Sequence, residues 1–309
     1  MPLSSRQKSS LLSLVSEKNG VRFDEPMSRH TTLRVGGPVD ALVSPATIGA
    51  AQNVRRFCTD EQLPFRALGA GSNLLVLDGG IRGVMVATHR LRALRFCPAL
   101  DGKTPVYVES GISTGKLLEE ASGRNLGGVE FLGGVPGTVG GGLVMNAGTY
   151  LGEFKDITIL VESIDQQGQL LSRRTPECGF VYRGSALPVD ELIVAAHFHL
   201  PTRAQSDIKA NVFTLRERRK TREPRGVGCA GSFFKNPTGD FAGRMIEACG
   251  LKGTRRGDAE ISPAHANWLV NRGQARSSDF LELIDLIRAS VQVRFGVQLQ
   301  LEVKILGET

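Results

Sequence analysis

The chain has 309 residues, 41% of them hydrophobic and 22% charged, enough apolar material for a sizeable core and, at this length, for two or three domains. Its formal net charge of +7 leaves nucleic acid, an anionic membrane and phosphorylated small ligands as candidate partners. The basic residues are spread along the chain, with no polybasic tail and no zinc-finger or RNA-binding aromatic signature, which argues against nucleic acid and for small anionic ligands.

Residues 1–20 read as a short amphipathic helix closed by Gly20. A strand over 34–43 with a glycine turn at Gly36-Gly37 comes next, then a helix over 46–60 and a strand over 65–68. The loop Gly69-Ala70-Gly71-Ser72-Asn73 leads into the apolar run Leu74-Leu-Val-Leu77 and a strand over 83–88. A second unit holds a strand at 106–108, a helix at 113–122, a glycine-rich stretch over 127–148 and strands at 157–164, 169–173 and 192–200. The third unit opens near Asp207 with an arginine-rich helix to about Arg222, which reads as a solvated face. A helix from Asp240 to Gly250 comes after it. Another starts at Asp279, with Glu282 as capping-box partner and a core stripe of Phe280, Leu283, Ile284, Ile287 and Val291. A strand over 298–306 is the last expected element.

The first glycine loop begins like a dinucleotide fingerprint and does not finish like one. Leu74 stands where the third glycine belongs, and residues 74–77 are strand-like, so no helix N-terminus would meet a pyrophosphate. Either the turn's own N–H groups form a nest, helped by Ser72 and Asn73, or the segment is a plain strand–turn–strand. The second stretch, residues 133–142, has six glycines in ten residues and no Gly-Lys-Ser/Thr, so it is no Walker loop. Such a composition suits backbone lying against a ligand, and the interleaved Val135, Val139, Leu143 and Val144 argue against a merely flexible loop. The five cysteines, Cys58, Cys97, Cys178, Cys229 and Cys249, have no metal-site or redox-pair spacing, and their odd number in a large chain suits a reducing cytoplasm rather than a disulfide framework. No metal site is expected. The apolar run at 11–15 is too short for a signal peptide or a spanning helix, so no membrane partner is expected.

Several segments, in order, resemble one family: Thr32-Leu-Arg34-Val-Gly-Gly37, Leu68-Gly-Ala-Gly-Ser-Asn-Leu-Leu75, Gly128-Val-Glu-Phe-Leu-Gly-Gly-Val-Pro-Gly-Thr-Val-Gly-Gly141, Met145-Asn-Ala-Gly148, Phe180-Val-Tyr-Arg-Gly-Ser185, Ala230-Gly-Ser-Phe-Phe-Lys-Asn-Pro237, His265-Ala-Asn267 and Leu301-Glu-Val303. They are similar to UDP-N-acetylenolpyruvoylglucosamine reductases, also called UDP-N-acetylmuramate dehydrogenases (MurB). The short passage from Arg183 to Leu192 resembles the family's shorter second type. Glu223 stands before Pro224 where the family pattern has Gln.

The resemblance implies an α+β fold: a two-part FAD-binding module of the vanillyl-alcohol-oxidase (PCMH) type, 1–90 and 91–203, and a substrate-binding domain, 204–309, whose final strand returns to the active site. It implies non-covalent FAD held by Arg34, by Gly69, Ala70, Gly71, Ser72, Asn73 and Leu74, by Gly133, Gly134, Val135, Pro136, Gly137, Thr138, Gly140 and Gly141, and by Asn146 and Gly148. NADPH is the implied co-substrate and a UDP-sugar the substrate, reduced by a monomeric cytoplasmic enzyme of cell-wall synthesis. Arg183, Ser232 and Glu302 are the implied catalytic residues; Tyr182, Lys220, Lys235, Asn236, His265 and Asn267 are the implied substrate or NADPH contacts. The rival readings are another flavin oxidoreductase of the same fold and a non-catalytic nucleotide-sugar or nucleic-acid binder using the basic helix.

Overall fold

Thr47 starts the first long helix, its hydroxyl accepting the Ala50 N–H at 3.1 Å. The helix, Ile48–Asp60, buries Ala51, Val54 and Cys58 on the face its spacing makes apolar, with the charged Arg55 buried beside them. The computed structural model describes residues 3–221, 223–224 and 226–309; Arg222, the expected end of the basic helix, lies outside them.

The chain divides into two units. The first comprises residues up to Phe23, Asp40–Ala70 and Gly83–Arg219, and the second comprises Asp24–Val39, Gly71–Arg82 and Lys220–Thr309. Four strands form one sheet in the order Val21–Pro26, Pro38–Val43, Ile81–Ala87, Phe65–Leu68, the last two parallel. Pro38 opens its strand where the sequence suggested an earlier start at Arg34: residues 34–37 are irregular. A five-stranded antiparallel sheet in the first unit runs Leu170–Arg174, Thr158–Ile164, Leu192–Pro201, Lys103–Glu109, Leu94–Phe96. Its core holds Phe154, which meets Phe131 edge-on at 5.5 Å and Phe198 at 6.0 Å, together with Leu117 and Leu118 of the helix Thr114–Ser122.

In the second unit the strands Gly228–Ser232, Trp268–Asn271, Ala259–Ile261 and Arg255–Arg256 form an antiparallel sheet in that order. The helices Ala242–Ala248 and Ser277–Phe295 share its core, where Phe233 stacks on Phe280 at 6.0 Å with 10° between the rings. The expected stripe from Phe280 to Val291 is buried as read. The helix starts earlier than read, however. Asp279 lies in its first turn, where its carboxylate accepts the Arg276 N–H at 2.8 Å, so Asp279 is not the cap and Glu282 is not its partner. The strand expected over 298–306 shrinks to Lys304–Leu306, parallel to Leu74–Val76.

Candidate active site

Thr138 divides the second glycine stretch. Its hydroxyl accepts the Gly141 N–H at 3.4 Å and caps the six-residue helix Val139–Val144, so the last part of the expected flat backbone, residues 139–142, is helical. The glycines there do different jobs. A Cβ on Gly142 would lie 2.2 Å from the Phe154 ring and one on Gly140 2.9 Å from Ser110, so both are set by close packing on the protein. A Cβ on Gly141 would meet only the Thr138 hydroxyl, at 3.7 Å, so that face is open. Upstream, the N–H groups of Gly133, Val135, Val139 and Gly140 are bonded within the protein, whereas those of Gly134, Gly137 and Thr138 make no hydrogen bond to the described residues. Donors of this kind around an open glycine face fit the phosphate oxygens and edge of a dinucleotide such as FAD. Gly69 belongs to the same half: its Cβ position is 2.7 Å from the Thr138 hydroxyl.

Tyr182 and Arg183 form the corner of a tight turn in which Val181 and Gly184 exchange both backbone hydrogen bonds, at 3.0 and 3.3 Å. The turn is pinned to residues 144–148. The Asn146 amide donates to Val181 O at 3.1 Å, the Ser185 hydroxyl donates to Val144 O at 2.9 Å and the Arg183 guanidinium donates to Gly148 O at 3.0 Å. The guanidinium also sits 5.0 Å from the Tyr182 ring centre. Asn146 is fully buried, and its amide oxygen accepts the Lys155 N–H, so this side chain shapes the wall of the site. From Ser185 the chain passes almost directly to the strand Leu192–Pro201.

Three of the sequence-derived residues, Arg34, Asn146 and Arg183, are left-handed, with φ of 58°, 41° and 54°. For an arginine this conformation costs about 1–2 kcal/mol, a strain that concentrates at functional positions. Arg34 is exposed between buried Leu33 and Val35. Asn271, which the sequence reading missed, donates its amide to Leu33 O at 3.1 Å and to Arg34 O at 3.4 Å. Its signal was a lone amide closing the apolar strand Trp268–Asn271.

The second unit gathers the rest. The first glycine loop supplies Gly71, where φ is +64° and a Cβ would fall 2.0 Å from His30 O, so only glycine fits. Asn73 comes two residues later, donating its amide to Glu302 O at 3.1 Å and accepting the Lys304 N–H at 3.0 Å. Ser232 ends the strand Gly228–Ser232 opposite Trp268, after a register shift that began beyond Cys229. The shift is a bulge around Gly231, whose φ of +73° and open surroundings turn the chain and aim the next residue. Glu302 is half-buried and lies in no strand; its N–H donates to Phe233 O at 2.8 Å, directly beside Ser232. Lys235 is tied to Gln300 O by its own N–H at 2.8 Å. The exposed Asn236 accepts the Ala242 N–H at 3.1 Å at the start of a helix. His265 accepts the Asn267 N–H at Nδ1, 3.2 Å away. Asn267 is 3% exposed. Lys220 is exposed at the end of the helix Gln205–Lys220. Burial pushes the Cys229 thiol up, against the Gly231 N–H and the Arg34 charge.

Residues 39–173 match the FAD binding domain family, and residues 223–306 match the family described as the C-terminal domain of UDP-N-acetylenolpyruvoylglucosamine reductase. The UDP-N-acetylenolpyruvoylglucosamine reductase of Syntrophus aciditrophicus is 42% identical over 303 residues, which is 97% of this chain and 96% of that protein. The chain belongs to the UDP-N-acetylenolpyruvoylglucosamine reductase family. A crystal structure of the family's member from Thermus caldophilus is similar with a TM-score of 0.78 at 36% identity, covering 91% of this chain and 97% of that one. A vanillyl-alcohol-oxidase-type flavoprotein from Myceliophthora thermophila shares the fold alone, at a TM-score of 0.50 and 11% identity over 65% of this chain and 48% of that one. The α+β fold, the FAD-binding module and the family expected from the motifs all hold, and the 309 residues suit the shorter type.

Proposed function

We propose that Arg183, Ser232 and Glu302 carry the reaction this chain performs as a member of its family, the reduction of the enolpyruvyl group of UDP-N-acetylglucosamine enolpyruvate to UDP-N-acetylmuramate in peptidoglycan precursor synthesis. The chemistry that FAD supplies when bound is the relay of a hydride from NADPH. The substrate is an enol ether conjugated to a carboxylate, so hydride arriving at the β carbon pushes negative charge toward the carboxylate, and a proton must then reach the α carbon. Arg183 suits the first demand: its planar fork matches a carboxylate, and the tight turn orients it in advance. Ser232 suits the second, as proton donor from Oγ. Glu302 completes the pair either as a second acid, returning a proton to the Ser232 side, or as the carboxylate that steadies the cationic partners. The observation that carries this reading is the Glu302 N–H bond to Phe233 O, which ties the carboxylate-bearing residue to the residue after Ser232.

In the same proposal, Arg34, residues 69–74, residues 133–138, Gly140, Gly141, Asn146 and Gly148 line non-covalent FAD. Tyr182, Lys220, Lys235, Asn236 and His265 contact the UDP-sugar or NADPH; Asn267, expected among them, is buried with its side-chain amide bonded to the Phe234 backbone. The functional division runs in chain order as 1–90, 91–203 and 204–309, and the protein works as a cytoplasmic monomer. Among the described residues no helix is long and apolar enough to cross a membrane, which is compatible with that location.

The test is Ser232→Ala, examined by stopped-flow spectroscopy of the two half-reactions. Flavin reduction by NADPH should be nearly intact, and reoxidation by substrate should fall by roughly a hundredfold or more, the range for a lost general acid. Reoxidation at the wild-type rate would make Ser232 a turn residue only.

A further inference from the structure

The two residues after Ser232, Phe233 and Phe234, are fully buried, and their backbone groups no longer belong to the strand ladder. Asn267 replaces the ladder. Its carbonyl accepts the Phe233 N–H at 2.9 Å, its Oδ1 accepts the Phe234 N–H at 3.0 Å and its Nδ2 donates to Phe234 O at 2.8 Å. The remaining polar group, Phe233 O, accepts from Glu302 N at 2.8 Å and from Val303 N at 3.4 Å. Asn267 and the Glu302 segment thus grip the same two residues from opposite sides. A primary amide is the side chain for this task, because it holds one donor and one acceptor in a plane and so imitates a neighbouring strand. An aspartate keeps the acceptor and lacks the donor; a leucine lacks both. With the bulge at Gly231 on one side and this grip on the other, the backbone on both sides of Ser232 is fixed. The Asn267 N–H bond to His265 Nδ1 extends the same framework.

We propose that Asn267 is a positioning residue for the reduction: its side-chain amide holds the Phe233–Phe234 backbone and thereby sets the placement of Ser232 relative to Glu302. It touches no substrate in this role, and the proposal rests on the assignment of Ser232 as proton donor. A purely structural asparagine would affect stability and both half-reactions alike. A positioning residue affects the step that needs the proton.

The experiment compares the holoenzyme with Asn267→Asp, Asn267→Ala and, in parallel, Ser232→Ala. At neutral pH, Asn267→Asp should leave flavin reduction by NADPH unchanged and slow reoxidation by substrate roughly ten- to a hundredfold, the scale of a misplaced reacting group. The solvent isotope effect on reoxidation should rise as proton delivery becomes limiting. Acid should rescue Asn267→Asp, because a protonated carboxyl regains the donor that Phe234 O requires; the wild type has no such recovery. Independently of turnover, amide exchange at Phe233 and Phe234 in the resting variant should be fast at neutral pH and slow again in acid. Wild-type reoxidation rates in both Asn267 variants, with Ser232→Ala slow, overturn the proposal and leave Ser232 in place. Equal losses in the two half-reactions overturn it in favour of a structural role. A wild-type rate in Ser232→Ala removes the donor assignment and this proposal with it. Should Asn267→Ala lose its flavin, Asn267→Asp, of the same size, decides; flavin loss from that variant at every pH marks Asn267 as a folding residue and overturns the proposal.

Discussion

Arg183 combines a chemical demand with a backbone demand, and the pair Arg183→Ala and Arg183→Gly separates them. Both remove the guanidinium, its bond to Gly148 O and its place over the Tyr182 ring. Only alanine retains the Cβ that makes φ of 54° unfavourable. The left-handed cost of about 1–2 kcal/mol is relieved in Arg183→Gly, while glycine's greater freedom in the unfolded chain takes back about 0.4–1 kcal/mol. The difference leaves Arg183→Gly more stable than Arg183→Ala by about 0.5–1 kcal/mol. In a chain of this size that is a Tm difference of about 1–4 °C. Activity should not track stability. Both variants should lose about 3 kcal/mol of transition-state stabilisation in the substrate half-reaction, on the order of a hundredfold in rate, with flavin reduction by NADPH much less affected. The assays are thermal denaturation of the flavin-loaded protein and stopped-flow reoxidation by substrate. An Arg183→Ala variant as stable as Arg183→Gly refutes the backbone argument, and equal loss in the two half-reactions refutes the chemical one.

Two further predictions concern the first unit. Phe154→Ala should cost about 3–5 kcal/mol by opening a cavity among Phe131 and Phe198, and Gly142→Ala about 1–3 kcal/mol by driving a methyl into the Phe154 ring. Combined, they should cost less than their sum by about 1–3 kcal/mol, and strict additivity in denaturant titrations would show that the two sites do not touch. The Cys58 thiol, pushed up to about 12 by burial, should resist alkylation at pH 8 while exposed Cys97 reacts. Its folded pKa lies above the 9.0 of an unperturbed thiol. The folded state therefore holds the proton more tightly, and the stability this contributes is complete below pH 9 and lost as pH rises from 9 toward 12, by at most about 1.4 kcal/mol per pH unit. The alkaline decline in stability should be shallower in Cys58→Ala; an unchanged slope would count against it.

Local signals carried well where a segment's structure depends on its own residues. Thr47 and Ser113 cap the helices read at 46–60 and 113–122, and the strand at 65–68 stands as read. They failed where distant residues decide. Asp279 has the side chain of a cap, yet Asp78, far away in the chain, accepts the Ser277 N–H at 3.0 Å and the helix extends back to Ser277. The strand expected over 298–306 runs through Glu302, but Phe233 and Asn73 take hold of its backbone and break the strand there. The glycine stretch at 133–142 read as ligand-facing throughout, because sequence does not tell a glycine packed on Phe154 from one facing open space. The candidate residues were legible as motifs; the bonds that tie Asn267 and Glu302 to Phe233 and Phe234, next to Ser232, link positions far apart in the chain and left no local pattern.

The second unit draws on Asp24–Val39 and Gly71–Arg82 as well as on everything from Lys220 onward, and its parallel pair joins Leu74–Val76 to Lys304–Leu306. A ribosome delivers those pieces in the least convenient order. Leu33, Val35 and Leu75 emerge early, and the side chains that cover them, Phe233, Phe280 and Val303 among them, come much later. For most of its synthesis the nascent chain therefore displays two greasy segments and an edge strand without its neighbour, a natural target for a holding chaperone. A product terminated before residue 304 retains that open edge for good, so truncated chains should be cleared by proteases rather than persist as partly working enzyme.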